Sequence, residues 1–227
     1  MAACVPPSAL ILAGIHLDRL RASPLKQQLP PAALAFLEPL READSLLIAS
    51  NGKDYLALSR GTFRQAPSGG TRLGPGLAAA GSPNWLRAAA EQRRSGAAGT
   101  APLLAQAEPL ARTSEIWMVV AGNATLPLTG NGENLNRLLH ATRYTTLTLR
   151  LTDKVALDAV GMCSTPESAR NLEGTVRAFI TLGTAASARQ TAVAGMLKRI
   201  RTTCEDRAVH LSLSVDAAEL EQLFKLF

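Results

Sequence analysis

An apolar strand, a helix and a two-stranded hairpin begin at Leu10, and the same succession begins again near Glu115. A chain that repeats strand, helix, strand, strand is constrained to antiparallel layers backed by helices, because each unit must bury one sheet face. In the first copy Leu10 to Leu17 (LILAGIHL) reads as a strand. Ser23-Pro24 reads as an N-cap followed by a first helical proline, with a helical region running through Pro30-Pro31 to Ala43. Ser45 to Ser50 and Asp54 to Ser59 flank Asn51-Gly52, a hairpin signal because that dipeptide tolerates positive φ. A polar, glycine-rich loop is expected from Phe63 to Gly76, then a short strand from Gly76 to Gly81 and a helix from Ser82-Pro83 to Arg94.

The second copy has a strand at Glu115 to Ala121 and a helix at Asn131 to Thr142, with Leu135, Leu138 and Leu139 on one face. A hairpin follows, Tyr144 to Leu151 against Val155 to Cys163. Ser164 and Glu167 are spaced as a capping box for a helix to about Leu182, and another helix is expected from Ala186 to Arg201. Ala208 to Val215 is the last strand. Asp216 and Glu219 cap a closing helix to Phe227. Between the copies, Ser95 to Thr100 (SGAAGT) has linker composition, and Pro102 to Ala111 reads as helical. The expected fold class is α+β: two related ferredoxin-like (β-α-β-β-α-β) halves, residues 1–100 and 101–227, with antiparallel sheets backed by helices and packed as one compact unit.

Alternation along Tyr144 to Leu151 puts Thr145, Leu147, Leu149 and Leu151 on one face and Tyr144, Thr146, Thr148 and Arg150 on the other. That second set is the expected interaction face. Asp158 sits mid-strand, with Arg150 as its expected cross-strand partner.

The chemistry-bearing residues do not cluster along the sequence. His16, His140 and His210 have no second ligand at metal spacing, and Cys4, Cys163 and Cys204 are not spaced as a metal set. Cys163, at a strand end before a helix, is the nearest approach to a nucleophile, where a helix dipole would lower its pKa. A bridge to Cys204 is conceivable, two isolated thiols being the preferred reading. Gly69 to Gly76 and Gly130 to Asn134 are glycine-rich but lack a P-loop lysine, so both read as connections. No catalytic, cofactor or metal residues are assigned.

The net charge is +6, yet the basic residues scatter, with small clusters at Arg93-Arg94 and Lys198 to Arg201, and aromatics are only 4%. That combination gives electrostatic attraction without a stacking reader, so no nucleic-acid partner is expected. No stretch reaches the length of a transmembrane helix. Met1-Ala2-Ala3-Cys4 lacks the basic and apolar regions of a signal peptide, though it resembles the tail of a lipoprotein cleavage site.

Val5-Pro6-Pro7, Asp18, Arg21, Ser23 and Pro24, within the segment that leads to Leu25, give the opening a resemblance to uncharacterised bacterial exported (cell-envelope) proteins. The resemblance implies an extracytoplasmic home and carries no function over. The resulting expectation is a non-catalytic extracytoplasmic protein, meeting a protein or ligand, or a second copy of itself, through its open sheet face. The alternative is a small-molecule-binding or enzymatic domain with its site in the cleft between the halves.

Overall fold

Strand β1 (Ile11–His16) is the hub of the molecule. It pairs antiparallel with β2 (Ala43–Ser50) on one side and β6 (Ile116–Ala121) on the other. A computed structural model of the chain describes residues 1–24, 40–63, 69–96, 100–126 and 133–216. The helix expected through Pro30-Pro31, the Gly130 to Gly132 segment and the closing helix after Asp216 lie outside those residues.

Outward from β2 come β3 (Tyr55–Gly61), β5 (Leu77–Gly81) and β4 (Thr71–Gly74). Outward from β6 come β7 (Tyr144–Leu151), β8 (Val155–Met162), β10 (Ala208–Val215) and β9 (Arg201–Glu205). The result is one ten-stranded sheet, β4-β5-β3-β2-β1-β6-β7-β8-β10-β9, antiparallel at every pairing. Helices back it: α1 (Leu17–Ala22), α2 (Pro83–Ser95), α3 (Leu104–Thr113), α4 (Glu133–His140), α5 (Pro166–Ala186) and α6 (Thr191–Arg199).

The strand order on each side of the β1–β6 seam is the same, but it is not that of a ferredoxin-like unit. A split βαβ returns its second strand parallel to the first with a third strand between them. Here β1 pairs directly and antiparallel with β2, and β6 with β7. The lengths explain this for the second half. The 8 residues of α4 rise about 12 Å, while an 8-residue strand such as β7 spans roughly 26 Å. The excursion therefore comes back to the end of the sheet it left, and the next strand runs back alongside.

Two edge strands carry too little apolar signal to be seen in the sequence. Thr71–Gly74 forms inside the expected glycine-rich loop, and Arg201–Glu205 occupies what reads as a helix end and a connection. Their side chains are exposed or half-buried, so no alternation of apolar residues marks them. Other boundaries move as well. Leu17 opens α1 instead of closing the strand, and Ser23 is the residue after that helix. The helix that Ser23-Pro24 is expected to open lies outside the described residues. The N-cap of α5 is Thr165, whose Oγ1 accepts from the Ser168 amide at 3.1 Å, and the helix runs through Gly183 to Ala186. At the first hairpin only Gly52 has positive φ, 88°. Asn51 instead turns its Oδ1 inward to accept from the Lys53 and Asp54 amides.

The largest core cluster lies on one face of the first half, where Leu12, Leu47, Ala49, Leu56 and Leu58 meet Trp85 and Ala89 of α2 and Ala107 of α3. Trp117 and Val119 of β6 belong to the same cluster, so it crosses the seam. In the second half the opposite sheet face is covered: Val209 packs with Ala169, Leu172 and Val176 of α5. Side-chain hydrogen bonds also tie the halves: Ser23 Oγ donates to the Leu151 carbonyl at 2.7 Å, and Arg19 donates to the Arg112 carbonyl at 3.2 Å. Within the second half, Glu115 Oε2 accepts from the Leu151 amide at 2.8 Å. Arg21 donates to the Ala43 and Leu40 carbonyls at 2.8 and 2.6 Å.

At the seam, Gly14 faces Trp117 in register, and a Cβ on Gly14 would collide with the indole. Burying an indole contributes about 5 kcal/mol of gross transfer free energy, so the missing side chain has a packing reason. We predict that Gly14→Val destabilises the protein by about 1–3 kcal/mol through overpacking. Chemical denaturation of the Gly14→Val, Trp117→Val double variant should show partial rescue relative to additive losses. Strict additivity would show that the two positions do not oppose each other.

Candidate functional site

Helix α3 lies over the seam and leaves a slot beneath it. Leu104, Ala107, Glu108, Ala111 and Arg112 recur at helical spacing, so they share one side of α3 and line the slot. The floor is Gly14, Leu47 and Trp117, and Met1 and Ala2 also line the slot. Small residues of the helix, Ala107 and Ala111, make the space above, while the room that Gly14 leaves is taken by the Trp117 indole. The cavity measures about 450 Å³, within the range of small-molecule sites, and its lining is mostly apolar.

At one end of the slot a polar row crosses three strands. His16 on β1 is the register partner of Ser45 on β2, and Ser45 is the partner of Arg60 on β3. Register partners in an antiparallel sheet point to the same face with Cβ atoms roughly 5 Å apart. His16 Nε2 and Ser45 Oγ are buried and have no hydrogen-bond partner among the described residues. An unmade hydrogen bond of this kind costs about 1–3 kcal/mol. Both atoms are themselves shielded, so relief comes either from their pairing with each other after a small rotation or from a group reaching them within the slot.

The charge around the row is positive. Glu108 is already held by Arg112 one helical turn away, on an exposed surface. Arg60 is exposed and has no carboxylate partner among the described residues. Burial pushes the Met1 amine below its ordinary range, and the Arg60 and Arg93 cations push it the same way, against the opposing effect of Cys4.

The strand face expected to make contacts is arranged differently. Tyr144, Thr146, Thr148 and Arg150 do share one face, with Thr146 opposite Val119 and Thr148 opposite Trp117. The first three are half-buried and Arg150 is exposed. Arg150 donates to Asp158 at 2.9 Å, the expected cross-strand pair, with both side chains open to solvent. Such a pair contributes at most about 1 kcal/mol.

Other candidates take up structural positions. His140 Nε2 lies 3.0 Å from the Ala124 carbonyl, and His210 is half-buried on β10. Among the described residues no three His, Cys, Asp or Glu side chains gather as a metal set. Cys4 is 2% exposed within the main cluster. All three cysteines are free thiols. Cys163 does not become an activated nucleophile. It is fully buried beside Ala169 and Leu172, and burial, then the nearby Cys204, push its thiol above the ordinary range. The helix that was to lower it starts at Pro166, beyond the Thr165 cap.

The slot was not legible as a site because its parts come from β1, β2, β3, α3 and β6. Two local signals point toward it: a glycine in the middle of an apolar strand, which often marks a close approach, and the Ala107/Ala111 pair one helical turn apart.

No family model matches this chain, and no curated protein matches it. The fold is similar to crystal form III of TP0453, with a TM-score of 0.58 at 9% identity, covering 100% of this chain and 98% of that one. Crystal form IV of TP0453 gives 0.53 at 9% identity over 98% and 95%, and form I gives 0.52 at 8% over 99% and 96%. At such identity the likeness is one of α+β fold.

Burial sets an order of thiol reactivity. With a native-state maleimide, half-buried Cys204 should react first, and Cys163 and Cys4 should react only on unfolding, as read by mass spectrometry. The raised Cys163 pKa also has a sign for stability. Above the ordinary thiol range the unfolded chain loses this proton and the native state keeps it, so that contribution falls as pH rises. Early native-state labelling of Cys163 would contradict both statements.

Proposed function

We propose that this is a non-catalytic binding protein whose ligand is a small molecule with an apolar body, held in the slot between α3 and the sheet at the junction of the two halves. The observation that carries the reading is the slot itself. Its volume is set by small residues where larger ones would fill it, and both halves contribute to its walls. Convergent polar groups in an otherwise apolar concavity are the usual form of such sites. The buried Cys163 thiol supports binding over nucleophilic chemistry.

The identical strand order on either side of the seam supports an internal duplication of a meander with an added hairpin, rather than of a ferredoxin-like unit. An extracytoplasmic home rests on the resemblance of the opening segment. There Arg21 and Ser23 serve the fold through their backbone hydrogen bonds. An interaction role for the Tyr144 to Arg150 face has weaker support, since its cation is already paired with Asp158.

The chain has two tryptophans, so a Trp85→Phe variant reports on Trp117 alone. A medium-chain alcohol such as 1-decanol, titrated below its solubility limit, should change Trp117 emission saturably. Ala107→Phe, which fills the slot from above, should weaken that binding at least tenfold while leaving the circular dichroism spectrum unchanged. Equal binding by the filled variant would place the ligand elsewhere.

A further inference from the structure

The slot has a polar end, and the groups there are of one kind. Resting on the slot being a binding site, we infer that its ligand carries an anionic oxygen headgroup, a carboxylate or a phosphate monoester, that docks on the row formed by Arg60, Ser45 and His16.

Three observations converge on this class. The row is built across adjacent strands by register, so its spacing is fixed by the sheet and not by a mobile loop. Ser45 is 5% exposed, and its hydroxyl, like the Nε2 of His16, has no partner among the described residues although both side chains line the cavity. Arg60 lines the same cavity and has no carboxylate partner among the described residues, whereas the other arginine of the lining, Arg112, is matched by Glu108.

A neutral polar headgroup would satisfy the hydroxyl and the imidazole but leave the guanidinium unanswered. A cationic headgroup would meet Arg60 directly. An anionic oxygen group meets Arg60 directly and accepts from Ser45 Oγ and from His16 in its Nε2–H form once these shielded groups rotate toward the slot, and a two-oxygen acceptor matches the fork of a guanidinium. The apolar body then runs beneath α3, along Leu104, Ala107 and Ala111, toward Trp117. One consequence follows for orientation: the headgroup sits at the end of β1, where His16 hands over to α1, and the tail lies at the seam.

The test compares decanoate, decyl phosphate and 1-decanol, three probes with matched tails, each below its aggregation threshold. Binding is read by Trp117 emission in the Trp85→Phe protein and by calorimetry. At least one anion should bind about tenfold more tightly than the alcohol, since hydrogen bonds to a charged group are stronger than those to a neutral hydroxyl. The anion with the larger advantage identifies the headgroup. Arg60→Met should remove that advantage, bringing the anion's affinity down to that of 1-decanol for the same variant. Ser45→Ala should reduce it by a smaller factor.

If the alcohol binds as tightly as both anions, or if Arg60→Met keeps the anion advantage, the headgroup inference is overturned and the slot remains an apolar site. If none of the three probes binds the wild-type slot, the binding reading itself fails. Thermal unfolding of Arg60→Met, an exposed position, separates loss of binding from loss of fold.

Discussion

The antiparallel pairing of β1 with β6 is the joint on which the structure depends. It turns two five-stranded layers into one sheet and lets a single core cluster run across it. The Trp117 indole occupies the volume that a Gly14 side chain would need, so each residue is explained by the other. Backbone hydrogen bonds extend the joint at both ends: the His16 amide donates to the Glu115 carbonyl, and the Ala121 amide to the Leu10 carbonyl. Glu115 then reaches the Leu151 amide, and Ser23 the Leu151 carbonyl, so the end of β7 is held from both halves. The slot exists only because this joint sets β6 beside β1 in the sheet and brings α3 over that shared face.

Much of the architecture can be read from residues alone, and the reasons are local. Period-two alternation locates β7 and β10, Asn51-Gly52 the first hairpin, and Ser82-Pro83 the start of α2. What escapes the sequence depends on pairing partners. Thr71–Gly74 and Arg201–Glu205 are strands because β5 and β10 offer them an edge, not because their side chains are apolar. The ferredoxin-like order fails for a related reason. Element order does not say whether a connection crosses the sheet, and a helix as short as α4 does not.

The candidate site shows the same limit more sharply. His16 looks like an isolated strand histidine, Ser45 like the first residue of a strand, and Arg60 like a scattered cation. Only the β1–β2–β3 register sets them side by side. Conversely, Cys163, which the sequence makes the most reactive candidate, is disarmed by its burial against α5. The share of chemistry in this chain is therefore decided by tertiary placement, with the apolar floor and the polar row drawn from residues that carry no motif.

The central claim is that the β1–β6 seam makes one cooperative body from the two halves. Native-state hydrogen exchange measures it directly. The His16 and Ala121 amides, together with the pairing amides of β1 and β6, should exchange only through global unfolding, with free energies equal to the most protected amides of β3 and β8. Seam amides that exchange through a lower-energy opening, while each half keeps its own protection, would contradict the account.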